Sequence, residues 1–182
     1  MAEIGRNASA TRIWTLRAVF ALLICGVLLA GILPLDTVPP KWAGPDLVLA
    51  LTLAWTIRRP ELVPAPLVGA ALLLADLILL RPPGLYAAIG VLACEMLKRR
   101  SRGLRELPFP AEWAMASVAV AMVLIGYQLA LAVFFIGPLQ LKLALIQAIA
   151  TILAYPLTTG ALRLFGLRKA ARGEVDALGH RL

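Results

Sequence analysis

The chain is predicted to be an all-α membrane protein, a six-helix transmembrane bundle. Three observations predict it. Of its 182 residues, 61% are hydrophobic and only 15% charged, with a mean hydropathy of +0.87. A soluble domain is nearer half apolar and about a quarter charged. The apolar residues fall into long blocks divided by short polar breaks. Lys and Arg gather at the termini and in every second break, the pattern of the positive-inside rule. A chain of this length is normally one domain, so residues 1–182 are read as a single integral membrane domain.

A helix needs about 20 apolar residues to cross the hydrocarbon core, with a range of about 17–25. The predicted spans are 18–35, 45–57, 62–80, 84–97, 113–136 and 139–165. Pro34, Pro39 and Pro40 close the first. Its basic flank fits a signal peptide, but its apolar stretch exceeds the roughly 7–15 residues of a signal core and no A-x-A-like site follows. The second span starts at Gly44 or Pro45, since proline is tolerated in a first helical turn. Pro156 is expected to kink the sixth.

Spans two and four are short, and re-entrant segments are the alternative. Charge decides between them. With six spans, fifteen of the eighteen Lys and Arg residues share one side, and only Lys41, Arg81 and Lys142 lie on the other. Removing span two sends Arg58, Arg59 and the 98–105 cluster across. Removing span four strands the C-terminal cluster. Six spans with both termini in the cytoplasm give the cleanest asymmetry. The 34–46 loop, rich in proline and carrying Trp42, is expected to be compact and near the interface. The 98–112 stretch is the longest internal connection. Leu104, Leu107 and Phe109 are placed to lie on the membrane with cations toward anionic headgroups. Pro108 and Pro110 are expected to prevent a long regular helix there.

Several function classes are disfavoured. The net charge of +8 follows the breaks between spans rather than forming a basic face with interleaved aromatics, which argues against nucleic acid. Cys25 and Cys94 both lie in apolar blocks, which argues against a disulfide framework. The single histidine, His180, sits on a charged tail. Metal sites and nucleophilic catalysis need convergent ligands or a held base, and no phosphate loop or nucleophile–base motif is present. No cofactor is expected.

Ionisable groups at membrane depth cost on the order of 2.5–3.5 kcal/mol on insertion scales and are site candidates by default. Asp76 is the clearest, either wetted near the outer end of span three or facing the bundle interior. Arg81, five residues on, is expected to pair with it. Glu95 has Lys98 and Arg99 at i+3 and i+4, a spacing that lets side chains meet. Asp46 follows Pro45 at the start of span two, where a carboxylate caps free N–H groups. Arg58, Arg59, Pro60 and Glu61 make an abrupt cytoplasmic corner. Its arginines satisfy positive-inside and are also able to reach a partner's carboxylates. Gln128 in span five, and Gln147, Thr151, Tyr155, Thr158 and Thr159 in span six, are able to bond across helices. Gln147, Thr151 and Tyr155 share one stripe. Ala144, Ala148, Ala154 and Gly160 allow close helix approach.

The order of four motifs resembles the MreD family of rod shape-determining membrane proteins. They are Trp-Ala-Gly-Pro-Asp-Leu (42–47), Arg-Arg-Pro-Glu (58–61), Leu-Ala-Asp-Leu (74–77) and Arg-Pro-Pro-Gly-Leu (81–85). The last, which includes Gly84, is most similar to alphaproteobacterial members. The resemblance covers residues 42–95 best. One departure is that family members often carry a glycine just before the span-three carboxylate, whereas Ala71, Leu72 and Leu73 stand there and the nearest glycine is Gly69. The resemblance implies a fold similar to the substrate-binding membrane component of ECF transporters. It implies a non-enzymatic inner-membrane scaffold of the elongation complex for lateral peptidoglycan synthesis and cell shape. Its partners would be MreC and, more widely, MreB, RodA and PBP2. Asp46, Arg58, Arg59 and Asp76 match the family's motif positions. The alternative is a vitamin-type transport component, with a pocket walled by Gln128, Gln147 and Tyr155. A lipid-chemistry enzyme is a third reading, for which the expected cluster of carboxylates or histidines is lacking.

Overall fold

The computed structural model describes residues 2–32, 43–104, 108–134 and 141–164. Trp42, Leu107 and the C-terminal tail from 165 lie outside them, as do the expectations placed there. Six α-helices and one 3-10 turn follow in order: α1 (Ala2–Ile32), α2 (Leu47–Arg58), the turn (Pro60–Leu62), α3 (Ala65–Ile78), α4 (Leu85–Leu104), α5 (Phe109–Val133) and α6 (Leu141–Leu164). No strand occurs among the described residues. The all-α class is as expected, and each predicted span has its helix.

Helix α2 is the axis of the bundle. It packs against each of the other five helices, and eleven of its twelve residues are buried. At about 1.5 Å per residue it is only about 18 Å long. Its composition, LVLALTLAWTIR, has no polar face because it has no solvent face. Thr52 and Thr56 return their hydroxyls to the carbonyls of Val48 and Thr52, each at 2.7 Å, so neither needs an outside partner. The Trp55 ring is buried edge-on against Phe20 of α1, with centroids 5.3 Å apart.

Three helical stretches, Thr11–Gly31, Phe109–Val133 and Leu141–Leu162, are long and apolar enough to cross a membrane; α2 and α3 are shorter apolar helices. The outward faces are apolar too. On α6 Leu141, Leu145, Ile149, Leu153 and Leu157, four residues apart, are each more than half exposed. Soluble monomers rarely expose so continuous an apolar stripe. These features are consistent with a membrane protein.

Several boundaries differ from expectation; α1, for one, begins at Ala2 rather than at 18. Helix α4 runs on to Leu104 rather than stopping near 97, because Lys98–Arg102 is a run of good helix formers. No single helix runs through 98–112, as expected from Pro108 and Pro110, since α4 ends at Leu104 and α5 begins at Phe109. The two prolines also start α5: Pro108 is its N-cap and Pro110 lies in its first turn, where a missing N–H costs nothing. The expected interfacial Phe109 is therefore the first residue of α5, half-buried. The predicted third span, 62–80, is divided by Val63 and Pro64 into the 3-10 turn and α3.

Pro156 lies inside α6, which continues through it as one helix. Its missing N–H leaves the Ile152 carbonyl without its usual i+4 donor. The Trp113 indole Nε1 of α5 donates to that oxygen at 2.9 Å. The local cost of the proline is thereby turned into a tie between two helices.

Helices α3 and α4 approach most closely at Gly90. A Cβ built there would lie 2.5 Å from Leu72 Cδ1, and Leu72 is fully buried. The close approach that the residues just before Asp76 did not promise is thus supplied from α4.

Candidate functional site

The site residues sort into two buried polar clusters, one at each end of α2, and two outlying pairs. At the first end Asp46 is the hub. Its Oδ1 accepts the Leu49 N–H at 2.9 Å, the expected cap. Its Oδ2 accepts the Tyr86 hydroxyl at 2.7 Å and both Arg81 Nη groups at 3.4 Å. Its own N–H donates to Thr151 Oγ1 at 2.8 Å, and that hydroxyl donates to the Gln147 carbonyl at 2.6 Å. Asp46 therefore joins α2, the α3–α4 turn, α4 and α6. Arg81 also lies over the Tyr86 ring, 4.4 Å from its centroid, a favourable cation–π arrangement. Tyr86 in turn meets Tyr127 of α5 edge-on at 5.3 Å. Burial works most strongly against the Arg81 charge, but the Asp46 carboxylate with Tyr86 and Tyr127 together outweighs it and holds the guanidinium pKa above its ordinary value.

The expected Asp76–Arg81 salt bridge is not formed. Arg81 turns to Asp46 instead, and Asp76 Oδ2 faces the start of α4. It accepts the N–H groups of Gly84 at 3.0 Å and Ala87 at 3.2 Å. A carboxylate there satisfies two of the four N–H groups a helix leaves free and sits at the positive end of its dipole. Gly84 has φ +85°, a conformation that favours glycine, and this aims its N–H at Asp76. Asp76 is fully buried, so of the two expectations the interior one holds. Its Oδ1 has no hydrogen-bond partner among the described residues.

At the other end of α2, Arg58 is 1% exposed. Its Nε donates to Glu112 Oε1 at 2.9 Å and its Nη1 to the Thr159 carbonyl at 3.4 Å. The Tyr155 hydroxyl donates to the same Glu112 oxygen at 3.3 Å. This cluster joins α2, α5 and α6. Thr151 and Tyr155 thus lie on the bundle's inner side, one in each cluster, and the polar stripe of α6 fastens that helix to both ends of α2.

The remaining site residues lie apart. Arg59 caps the end of α2 and pairs with Glu61 at 3.5 Å. Pro60 opens the 3-10 turn. Arg17 of α1 donates to the carbonyls of Leu62 and Glu61 at 3.2 and 3.4 Å, anchoring α1 to this corner. Glu95 meets Lys98 at 2.6 Å, the i,i+3 pair that its spacing suggests.

Sequence reasoning missed Glu112, Tyr86 and Tyr127. Glu112 was read as the end of a polar connection. One signal could have exposed it: Arg58 lies next to an apolar span and needs a carboxylate on the same side, and Glu112 is the acidic residue directly beside the start of span five. Tyr86 carries no such signal, since an aromatic in a span is ordinary packing.

Among the described residues no group of three or more His, Cys, Asp or Glu side chains is placed to hold a metal. In each cluster a buried carboxylate faces an arginine, Asp46 against Arg81 and Glu112 against Arg58. Comparison with protein-family models, with curated proteins and with solved structures gave no match.

Proposed function

We propose that the chain crosses the bacterial inner membrane six times, with both termini in the cytoplasm, and acts as a non-enzymatic scaffold of the elongation (rod) complex. The scaffold reading rests on the motif resemblance to the MreD family. In it, MreC is the direct partner and MreB, RodA and PBP2 belong to the wider assembly that directs lateral peptidoglycan synthesis and cell shape.

One observation supports this reading above the others. The charged residues at the family's motif positions are spent on fastening helices together: Asp46 on Arg81 and Tyr86, Asp76 on the start of α4, and Arg58 on Glu112. That makes a rigid bundle whose outward faces are apolar, which suits packing against other membrane segments. It also supports the short second span. A polar helix end is costly in lipid but tolerated where protein surrounds it, and both ends of α2 are enclosed. Of the three residues expected to wall a transport pocket, Tyr155 has its hydroxyl engaged by Glu112, while Gln128 keeps a buried amide oxygen with no hydrogen-bond partner among the described residues.

The test is co-purification of MreC with this chain from detergent-solubilised inner membranes, together with restoration of rod shape in cells depleted of their own MreD. Asp76→Ala should lower MreC yield and disturb shape while the protein still inserts. Failure of the unaltered chain both to retain MreC and to restore shape overturns the scaffold reading. Cysteine labelling of Lys98→Cys and Leu80→Cys from either side of the membrane tests the topology separately.

A further inference from the structure

An apolar groove runs between α3 and α4 on the outer surface of the bundle. Gly69 and Leu73 line it from α3, Gly84 from the turn before α4, and Ala88, Val91 and Leu92 from α4, around a volume of about 600 Å³. This lies within the roughly 300–1,000 Å³ of ordinary ligand sites. The groove exists because small residues stand where larger ones would fill it, while Gly90 holds the two helices close behind it.

Beyond the groove the same face of α4 carries charge. Helical periodicity places Ala88, Leu92, Glu95 and Arg99 on one stripe of α4. The groove face therefore continues, about 10 Å beyond Leu92, into Glu95, Lys98 and Arg99. Glu95 is matched by Lys98. Arg99 is exposed and has no ion pair among the described residues, leaving this end of the face net positive. In the six-span arrangement this end lies at the cytoplasmic surface, where anionic headgroups collect.

We infer that this groove is a binding site for an anionic phospholipid, with an acyl chain along Ala88 and Leu73 and the headgroup phosphate at Arg99. The combination selects the ligand. A neutral apolar segment would use the groove but not the cation, and a soluble anion the cation but not the groove. Basic sites between membrane helices on the cytoplasmic side are known takers of acidic headgroups. The inference goes beyond the scaffold reading and does not depend on which protein the chain binds.

The experiment uses the full-length protein in mild detergent. It is equilibrated with equal amounts of phosphatidylglycerol and phosphatidylcholine of identical acyl chains, and retained lipid is counted by native mass spectrometry. Phosphatidylglycerol should be retained preferentially. Arg99→Gln should lower that preference about fivefold, the equivalent of about 1 kcal/mol per cation near a membrane surface. Arg100→Gln, also exposed and making the same change of charge, lies about 100° around the helix from Arg99 and should leave it intact. Ala88→Phe and, as a second filling variant, Leu73→Trp should reduce retention of both lipids. Equal retention of the two lipids by the unaltered protein overturns the inference. So does an equal loss in the Arg99 and Arg100 variants, which would be general electrostatics. If the filling variants leave lipid retention unchanged and instead displace a co-purifying protein, the groove is a protein-docking surface and the inference fails.

Discussion

Removing the Glu112 side chain is the sharpest test of how the bundle is held. Arg58 and Glu112 are almost completely buried, 1% and 0% exposed, and 2.9 Å apart. In Glu112→Ala the guanidinium keeps its bond to the Thr159 carbonyl but loses its counter-charge. Breaking one half of a buried pair costs about 3–5 kcal/mol. The Tyr155 hydroxyl, which also uses Glu112, is left without that acceptor, and an unsatisfied buried group costs about 1–3 kcal/mol. These terms share one oxygen and do not simply add. The expected loss is about 4 kcal/mol, nearly a thousandfold in the folding equilibrium. Replacing both partners by apolar residues of similar volume, Arg58→Met with Glu112→Leu, removes the unpaired charge and should recover most of it. The assay is reversible denaturation in detergent micelles followed by tryptophan fluorescence, with Arg58→Met, Glu112→Leu and the two together run as a double-mutant cycle beside Glu112→Ala. Single-variant losses below about 1 kcal/mol, or a double variant equal to the sum of the singles, would refute the view that this pair fastens α2 to α5.

Three further outcomes are expected. Gly90→Ala should destabilise by about 1–3 kcal/mol in the same assay, since its Cβ meets Leu72 Cδ1 at 2.5 Å; Gly90→Ala combined with Leu72→Ala should cost less than the sum of the two. Trp113→Phe should cost about 1 kcal/mol by orphaning the Ile152 carbonyl, and the cost should shrink in a Pro156→Ala background, where a backbone N–H returns to that oxygen. Asp76→Ala should cost about 1–2 kcal/mol by uncapping α4, seen as faster amide hydrogen exchange at Gly84 and Ala87 than elsewhere in the helix.

The helices themselves were legible in the sequence because a membrane-length apolar block is a local property. Pro34, Pro60 and Gly84 mark its limits, and the arginine distribution supports the number of blocks without any contact being known. The Asp46 cap and the Glu95–Lys98 pair were legible for the same reason, each lying within one helical turn. Boundaries at charged ends, such as the continuation of α4 to Leu104, were less so, since Lys and Arg suit both a helix and a loop.

Only the tertiary structure decided which polar group meets which. Arg81 lies five residues from Asp76 and 35 from Asp46, yet it bonds to Asp46, while Asp76 caps α4. The partner of Arg58 is 54 residues away. In a nearly all-apolar chain each buried charge must find one of very few opposite charges. The packing of α2 against every other helix determines which are within reach. The sequence by itself determined an all-helical chain with apolar, membrane-length segments. That α2 is the enclosed axis, tied at both ends by Asp46 and Arg58, came from the packing, because enclosure depends on neighbours and no local pattern encodes it.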